Sequence, residues 1–368
     1  MLKISSDQAL QLVQQHWQIT GEINDLPSYA DRNFKISGAQ GNFVFKIANP
    51  NWSYADLDIE NAALLHLVHT CPDLALPKIM LAADGSHIIP LNLYDDAGNT
   101  LACHMRLLTF VSGQVYAEAA QQTNTDLASL EYSLGLAIGK LDRGLSDFQH
   151  PAMMREVDWS ISQLPGLIDE IAHVEDAEIR ALVQRHLHYF ADNESQWRQT
   201  LPQAVIHNDA NDYNVIVSTV EPDGDHAQQK NSNQASAHES DPVRAHYQVD
   251  AIIDFGDMCF HLRAVDLAIT IVYALQHAVD ISRVKQCITA ILRAYQGVHP
   301  LSEPELRILP ALINARLSQS VLMATRAFRK NPANTYILVS QIGVHRLLRQ
   351  FEEIGADELE QLMLSAIR

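Results

Sequence analysis

The chain has 368 residues, of which 47% are hydrophobic and 19% are charged, so it holds enough apolar material for a globular core. This composition excludes a disordered, collagen-like or coiled-coil chain, and the length allows two domains or one large bilobed domain. The formal net charge of −18 argues against a nucleic-acid partner, because binding to a phosphate backbone needs a cationic surface.

The first 110 residues are predicted to be rich in strands, with one internal helix. An amphipathic helix is expected at about 5–18, and alternating apolar residues predict a hairpin between about 33 and 48. A helix follows at about 54–69, and further strands are expected at about 78–93 and 100–110. Residues 1–110 are therefore predicted to form an N-terminal lobe.

Residues 111–368 have a mostly helical pattern. Apolar residues at three- and four-residue intervals predict helices at about 124–145, 173–198, 263–278, 280–296, 303–330, 333–351 and 356–367. Short apolar strands interrupt them at 204–206, 215–217 and 249–255. The polar segment 221–246 is expected to be a mobile surface loop, since it cannot bury enough surface to offset its ordering entropy. The pattern predicts an α+β, bilobed fold.

Cysteine spacing and hydropathy predict the compartment. The four cysteines form no CxxC pair, which argues against a disulfide framework or a structural zinc site. The first residues lack the basic and apolar regions of a signal peptide. The longest apolar stretch, Ala264 to Leu275, is too short to cross a bilayer. A cytoplasmic protein without a membrane partner is expected.

Two polar segments beside the short strands carry the strongest functional signal. Asp209 is followed five residues later by Asn214, and Asp254-Phe255-Gly256 ends the next strand. Phosphoryl transfer to a hydroxyl needs a carboxylate that accepts the hydroxyl proton, and amide and carboxylate oxygens that hold Mg²⁺. Asp209 is therefore predicted to be the catalytic base, and Asn214 and Asp254 the Mg²⁺ ligands. Each of these side chains could also cap a turn.

The N-terminal lobe supplies a matching cation. Strand alternation places Val44 and Lys46 on the same face of the 42–48 strand. Glu60 lies on the apolar face of the following helix, where a carboxylate needs a cationic partner. We expect Lys46 to bind nucleotide phosphates and Glu60 to hold it in an ion pair. The alternative is a surface lysine and a glutamate whose charged end reaches solvent.

On these motifs the chain resembles the aminoglycoside phosphotransferase and choline kinase superfamily, and within it the hydroxylysine kinases and their bacterial relatives. The resemblance extends through Leu26–Phe34, Arg106–Gly113, Leu134–Pro151 and Asp158-Trp159. It implies a protein-kinase-like fold, in which a small lobe with an antiparallel sheet and one helix precedes a larger, mainly helical lobe. It also implies that Mg²⁺ and ATP or GTP bind between the lobes.

The resemblance implies further roles for single residues. Ser28 and Asn33 would belong to the loop over the phosphates, although this loop lacks a glycine-rich run. Leu108 and Phe110 would belong to the linker that reads the nucleobase, and Val44 would lie above the base. At position 208, an asparagine stands where many relatives carry glycine.

The predicted activity is transfer of the γ-phosphoryl group of ATP or GTP to a hydroxyl of an amino-alcohol metabolite. Through the resemblance, 5-hydroxylysine is the first candidate. Asp212 and Asp257 flank the cluster and either bind the amine of this substrate or cap turns. Homoserine, choline, ethanolamine, a sugar or an aminoglycoside are alternative acceptors. A nucleotide-binding pseudokinase is the alternative from another class, and the complete set of motifs argues against it.

Overall fold

The computed structural model describes residues 4–28, 31–94, 98–220, 245–333 and 341–367. The loop expected at 221–246 lies outside these residues except for its last two positions. One six-stranded antiparallel sheet has the order β1-β2-β3-β6-β4, with β5 also paired to β6. Its strands are β1 Glu22–Leu26, β2 Arg32–Gly38, β3 Gly41–Ile47, β4 Ile79–Met80, β5 Ile89–Tyr94 and β6 Thr100–Thr109.

Helix α1, Ser6–Trp17, covers one face of this sheet. A capping box at Ser5 starts the helix, and the Trp17 ring contacts the Phe45 ring at 5.9 Å between centroids. Because side chains alternate along β3, the phenylalanines at 43 and 45 enter this core. Val44 and Lys46 therefore face the opposite side, as the sequence pattern predicts.

Helix α2, Tyr54–Thr70, lies between the sheet and the helical part of the chain. Its residues Leu64 and Leu67 are buried in the core of the helical part. The α-helices beyond residue 110 are α3 Tyr116–Gln121, α4 Leu127–Leu145, α5 Ala177–Thr200, α6 Ala264–Ala274, α7 Ile281–Gln296, α8 Glu303–Lys330, α9 Gln341–Ile354 and α10 Ala356–Leu364. The 3₁₀ segments are Ile161–His173, Leu275–His277 and Ser365–Ile367.

Two small antiparallel sheets in the helical part position two loops. Their strands are β7 Gln114–Val115, β8 Gln203–Ile206, β9 Val215–Thr219, β10 Tyr247–Ile252 and β11 Cys259–Leu262, with the orders β10-β9-β7 and β11-β8. Loop 207–214 joins β8 to β9, and loop 253–258 joins β10 to β11. The Ile253 N–H donates to the Asn214 carbonyl at 2.9 Å, so the two loops lie side by side.

The predicted α+β fold is confirmed, with an N-terminal antiparallel sheet and a mainly helical remainder. The structure adds β11 and the 3₁₀ helix at 161–173, which the sequence patterns did not predict. Over the described part of the chain, no helix combines the length and apolarity needed to cross a membrane. The lobe boundary at residue 110 stays a prediction.

Candidate active site

A buried carboxylate on α6 anchors loop 207–214. The two oxygens of Asp266 accept hydrogen bonds from the backbone N–H groups of His207, at 2.9 Å, and Asn208, at 2.8 Å. The buried His207 ring lies between the Asp209 N–H, 3.3 Å from Nδ1, and the Ile253 carbonyl, 3.2 Å from Nε2. Burial lowers the pKa of His207, and a neutral ring with its proton on Nε2 satisfies both contacts.

Asp209 is oriented from three sides. Its Oδ2 accepts hydrogen bonds from the side-chain amides of Asn211, at 3.0 Å, and Asn214, at 2.9 Å. Its Oδ1 lies 3.6 Å from Arg316 Nη2, and one fifth of its side chain is exposed. Burial raises the pKa of Asp209 to about 7, against the opposing charge of Arg316. A carboxylate with this pKa can accept a proton near neutral pH.

Asn214 and Asp254 provide oxygen donors that fit Mg²⁺. The Asn214 amide nitrogen donates to the Asp209 carbonyl at 2.9 Å, and no described residue donates to its Oδ1. The Lys46 ammonium lowers the pKa of Asp254 to about 2, so this half-exposed carboxylate is ionised. No group of three or more His, Cys, Asp or Glu in the described chain could hold a metal. A site with few protein ligands is typical of Mg²⁺ that also binds substrate phosphates.

Lys46 bonds Asp254, whereas the sequence predicted an ion pair with Glu60. Its Nζ lies 2.8 Å from Asp254 Oδ1. Glu60 instead binds Arg106, which lies directly opposite Lys46 on β6 and also donates to the Asn61 side chain at 3.2 Å. The longer arginine side chain reaches the carboxylate with its planar guanidinium, which leaves Lys46 for Asp254.

Two rows of side chains cross the face of the sheet that carries Lys46. In the first row, Lys46 lies between Asn33 on β2 and Arg106 on β6. In the second, Val44 lies between Lys35 and Leu108. The rows are two residues apart along each strand, which is roughly 7 Å. The first row, with Lys46, is polar, and the second row, with Val44 and Leu108, is more apolar.

Phe110 lies two residues beyond Leu108, next to the second row. Its N–H donates to the Asn42 carbonyl at 2.8 Å, and Lys35 Nζ lies 4.1 Å from the centre of its ring. In the predicted phosphate loop, Ser28 is exposed, and the buried Asn33 Oδ1 has no hydrogen-bond partner in the described chain. The structure thus brings Val44, Leu108 and Phe110 together and leaves Ser28 outside this group.

The two acidic residues that flank the cluster have different surroundings. Asp212 Oδ2 lies 3.0 Å from His277 Nε2, and both side chains are largely buried. Burial raises the pKa of Asp257 to about 6, and no described residue forms a hydrogen bond or ion pair with its carboxyl group. Asp257 is therefore the better placed of the two to meet a ligand.

Sequence reasoning missed Arg316, which lies on α8 and is 1% exposed. Its guanidinium donates to the Trp159 carbonyl at 2.6 Å and to the Tyr273 hydroxyl at 3.2 Å, and it approaches Asp209. A signal was present, since Arg316 follows Leu309 and Leu312 at the spacing of the apolar stripe of α8. A cation at such a position needs a buried partner.

Comparisons with known proteins show the family and the fold of the chain. The profile of the phosphotransferase enzyme family matches residues 22–226, more than half of the chain. Hydroxylysine kinase of the mouse, Mus musculus, is 24% identical over 360 residues, which cover 93% of this chain and 87% of that protein.

Solved structures are similar over nearly the whole chain. A microcompartment-associated aminopropanol kinase has a TM-score of 0.68 at 14% identity, covering 95% of this chain and 98% of that chain. Amicoumacin kinase in complex with AMP-PNP and Ca²⁺ has a TM-score of 0.63 at 14% identity, covering 95% and 94%. At these identities, the two structures show a shared fold.

Proposed function

This chain belongs to the phosphotransferase enzyme family and is a small-molecule kinase, and we propose that its acceptor is an amino-alcohol metabolite, with 5-hydroxylysine the first candidate. The γ-phosphoryl group would come from ATP or GTP. The observation that carries this proposal is the set of contacts around Asp209, in which two amides and a buried guanidinium fix a carboxylate beside Asp254 and Asn214.

In this mechanism, Asp209 orients the acceptor hydroxyl and takes its proton as the phosphoryl group is transferred. Asn214 and Asp254 would hold Mg²⁺, which neutralises charge on the phosphates. Lys46 would bind the phosphates, and Val44, Leu108 and Phe110 would enclose the nucleobase. Catalysis then consists of positioning and charge neutralisation, and no covalent enzyme intermediate is needed.

Two observations support an acceptor that carries an amine. The carboxyl group of Asp257, which no described residue pairs, adjoins the catalytic loop, since the Asn208 side chain donates to the Asp257 carbonyl at 3.0 Å. Hydroxylysine kinase and aminopropanol kinase, both named for hydroxylated amines, are among the proteins similar to this chain. We propose that Asp257 binds the ammonium group of the acceptor and that Asp212, already paired with His277, does not.

The test measures release of nucleoside diphosphate with Mg²⁺, with ATP and GTP in separate reactions. The acceptor panel contains 5-hydroxylysine, homoserine, ethanolamine and choline, and lysine is the matched control because it lacks only the hydroxyl group. We expect release with 5-hydroxylysine and none with lysine. Asp209→Asn should lower turnover by about 10²–10⁴-fold, the usual contribution of a general base.

Two outcomes would contradict the proposal at different levels. Equal release with lysine and 5-hydroxylysine would mean that the hydroxyl group is not the acceptor. Full turnover in Asp209→Asn would remove Asp209 as the base. Asp257→Asn tests the amine site separately, since it should raise KM for the acceptor while KM for the nucleotide stays unchanged.

A further inference from the structure

The segment between α4 and the 3₁₀ helix at 161–173 contacts both parts of the molecule. His150 Nε2 lies 3.2 Å from Asp58 Oδ2 on α2. The Met153 carbonyl accepts a hydrogen bond from the Phe260 N–H on β11 at 3.1 Å. The segment therefore bridges the helix beside the sheet and the strand that follows loop 253–258.

Arg155 makes this bridge with one guanidinium group. Its Nη1 donates to the Asp56 carbonyl in the first turn of α2, at 2.6 Å. Its Nη2 donates to the Gly256 carbonyl at 2.7 Å, and its Nε donates to the Met258 carbonyl at 2.8 Å. The side chain is only 4% exposed, so all three bonds are shielded from water.

The arrangement of the three acceptors suits an arginine better than a lysine. Carbonyl groups turned into the protein need donors, because an unsatisfied buried carbonyl costs about as much as a lost hydrogen bond. A guanidinium presents five N–H groups in a rigid plane, whereas an ammonium is a compact point charge. The buried charge of Arg155 is offset by Glu60, whose Oε1 lies 3.7 Å from Nη1.

Glu60 links this bridge to the row that contains Lys46. The carboxylate of Glu60 also binds Arg106, the neighbour of Lys46 across the β3–β6 ladder. Lys46 in turn bonds Asp254, at the start of the loop that Arg155 holds. The loop, helix α2 and the sheet are thus connected in a closed ring of contacts.

We propose that Arg155 is a positioning residue that holds loop 253–258 against helix α2, so that Asp254 stays aligned with Lys46. The catalytic consequence rests on the proposed function, whereas the fixing of the loop does not. Arg155 touches neither substrate nor reacting atoms in this role. It acts through the backbone on which Asp254 and Asp257 are carried.

The test compares Arg155→Lys and Arg155→Gln with the wild-type protein by hydrogen–deuterium exchange and by kinetics. Arg180→Lys is the matched control, since Arg180 on α5 also donates to a backbone carbonyl, that of Val174, at 2.7 Å. In both Arg155 variants, amides of residues 254–260 should exchange about tenfold faster. Turnover should fall by about 10²-fold, the effect of a misplacement of about 1 Å, and half-saturation should need more Mg²⁺.

The outcomes separate this proposal from the proposed function. Unchanged exchange at 254–260 in folded Arg155→Lys and Arg155→Gln would overturn the role of Arg155, as would an equal increase in Arg180→Lys. Circular dichroism and Tm show whether each variant is folded, and Arg155→Gln serves if the lysine variant is not. A wild-type protein that transfers no phosphoryl group would overturn the proposed function, and the exchange measurement would still decide the role of Arg155.

Discussion

Two residues of the candidate site have a left-handed backbone. Asn208 and Asp254 both have φ of 64°, and the third non-glycine residue with positive φ in the described chain, Gln18, ends helix α1. Asparagine and aspartate tolerate this conformation better than most residues, because their short polar side chains can bond locally. The asparagine at 208 can therefore adopt a backbone conformation for which glycine is the usual choice.

Substitutions at position 208 test this backbone requirement. Asn208→Gly removes the side-chain bond to the Asp257 carbonyl but permits the same φ, so we expect a small loss of Tm from the lost hydrogen bond and a few-fold loss of turnover. Asn208→Ala loses the same bond and should be less stable than the glycine variant by about a further 1–2 kcal/mol, the cost of the left-handed region for an L-residue. Urea unfolding and steady-state kinetics measure both effects. An alanine variant as stable as the glycine variant would show that the left-handed backbone at position 208 carries no cost for an L-residue.

At the residue scale, the motifs predicted the members of the candidate site, but they predicted side-chain partners only where the residues are close in sequence. Asp209 and Asn214 are five residues apart, and the structure joins them by a hydrogen bond. The partner of Glu60 was not predictable, because Arg106 lies 46 residues further along and is brought near by the pairing of β3 with β6. Arg316 had a sequence signal in the apolar stripe of α8, but its approach to Asp209, far earlier in the chain, was not predictable. The catalytic and ligand-binding roles of all these residues stay predictions.

At the scale of elements, the close contact between α4 and α7 supports the catalytic loop. A Cβ atom added at Gly135 would lie 2.3 Å from the Ile291 carbonyl oxygen, so the helices approach closely there. Further along α4, the Tyr295 hydroxyl donates to Asp142 at 2.7 Å. Burial and the neighbouring charge of Asp266 raise the pKa of Asp142 well above its usual value. Asp142 therefore lies close to Asp266, the residue that anchors loop 207–214.

Gly135→Ala should separate these helices. Overpacking of this kind costs about 1–3 kcal/mol, and we expect a lower Tm and lower turnover as Asp142 moves away from Asp266. Gly166→Ala is the matched control, since a Cβ atom there meets nothing within 4 Å. Thermal unfolding of the two variants compares the same chemical change at a tight and an open position. Equal Tm values would refute the importance of the contact.

Long elements were predictable from apolar periodicity, and short ones were not. The expected helices at 280–296 and 303–330 agree with α7 and α8 to within one residue. Strand β11 has only four residues, too few to show an alternating pattern, and its partner β8 lies more than 50 residues earlier. In the 3₁₀ helix at 161–173, Pro165 removes a backbone donor and obscures the helical pattern.

For the whole molecule, the change from strand to helix patterns near residue 110 was sufficient to predict a bilobed α+β fold. That change of pattern did not predict which core helix α2 packs into. Its apolar face lies in the core of the helical part, while the sheet has a core of its own with α1. Packing between distant segments decides such a placement, and local periodicity does not report it.

The bond between Lys46 and Asp254 has a consequence for the order of ligand binding. Each side chain serves as the counter-ion of the other, at 2.8 Å. Phosphates that draw Lys46 away would leave Asp254 without a cation, and Mg²⁺ that draws Asp254 away would leave Lys46 without an anion. Binding of one ligand alone therefore costs free energy, because it leaves either Asp254 or Lys46 without a counter-ion. Binding of both ligands leaves neither side chain without one. Nucleotide and metal should bind with positive cooperativity.

Thermodynamic linkage makes this cooperativity measurable from either side, because each ligand must strengthen the other by the same factor. Calorimetric titration of nucleoside diphosphate across a series of Mg²⁺ concentrations gives the factor for the wild-type protein. Lys46→Met removes the counter-ion of Asp254. The factor should then fall to the value that formation of the metal–nucleotide complex in solution accounts for. An unchanged factor would show that the ion pair couples nothing. If the factor is found in the wild-type protein, free nucleotide and free Mg²⁺ should each bind weakly, and their complex should bind in preference to either one.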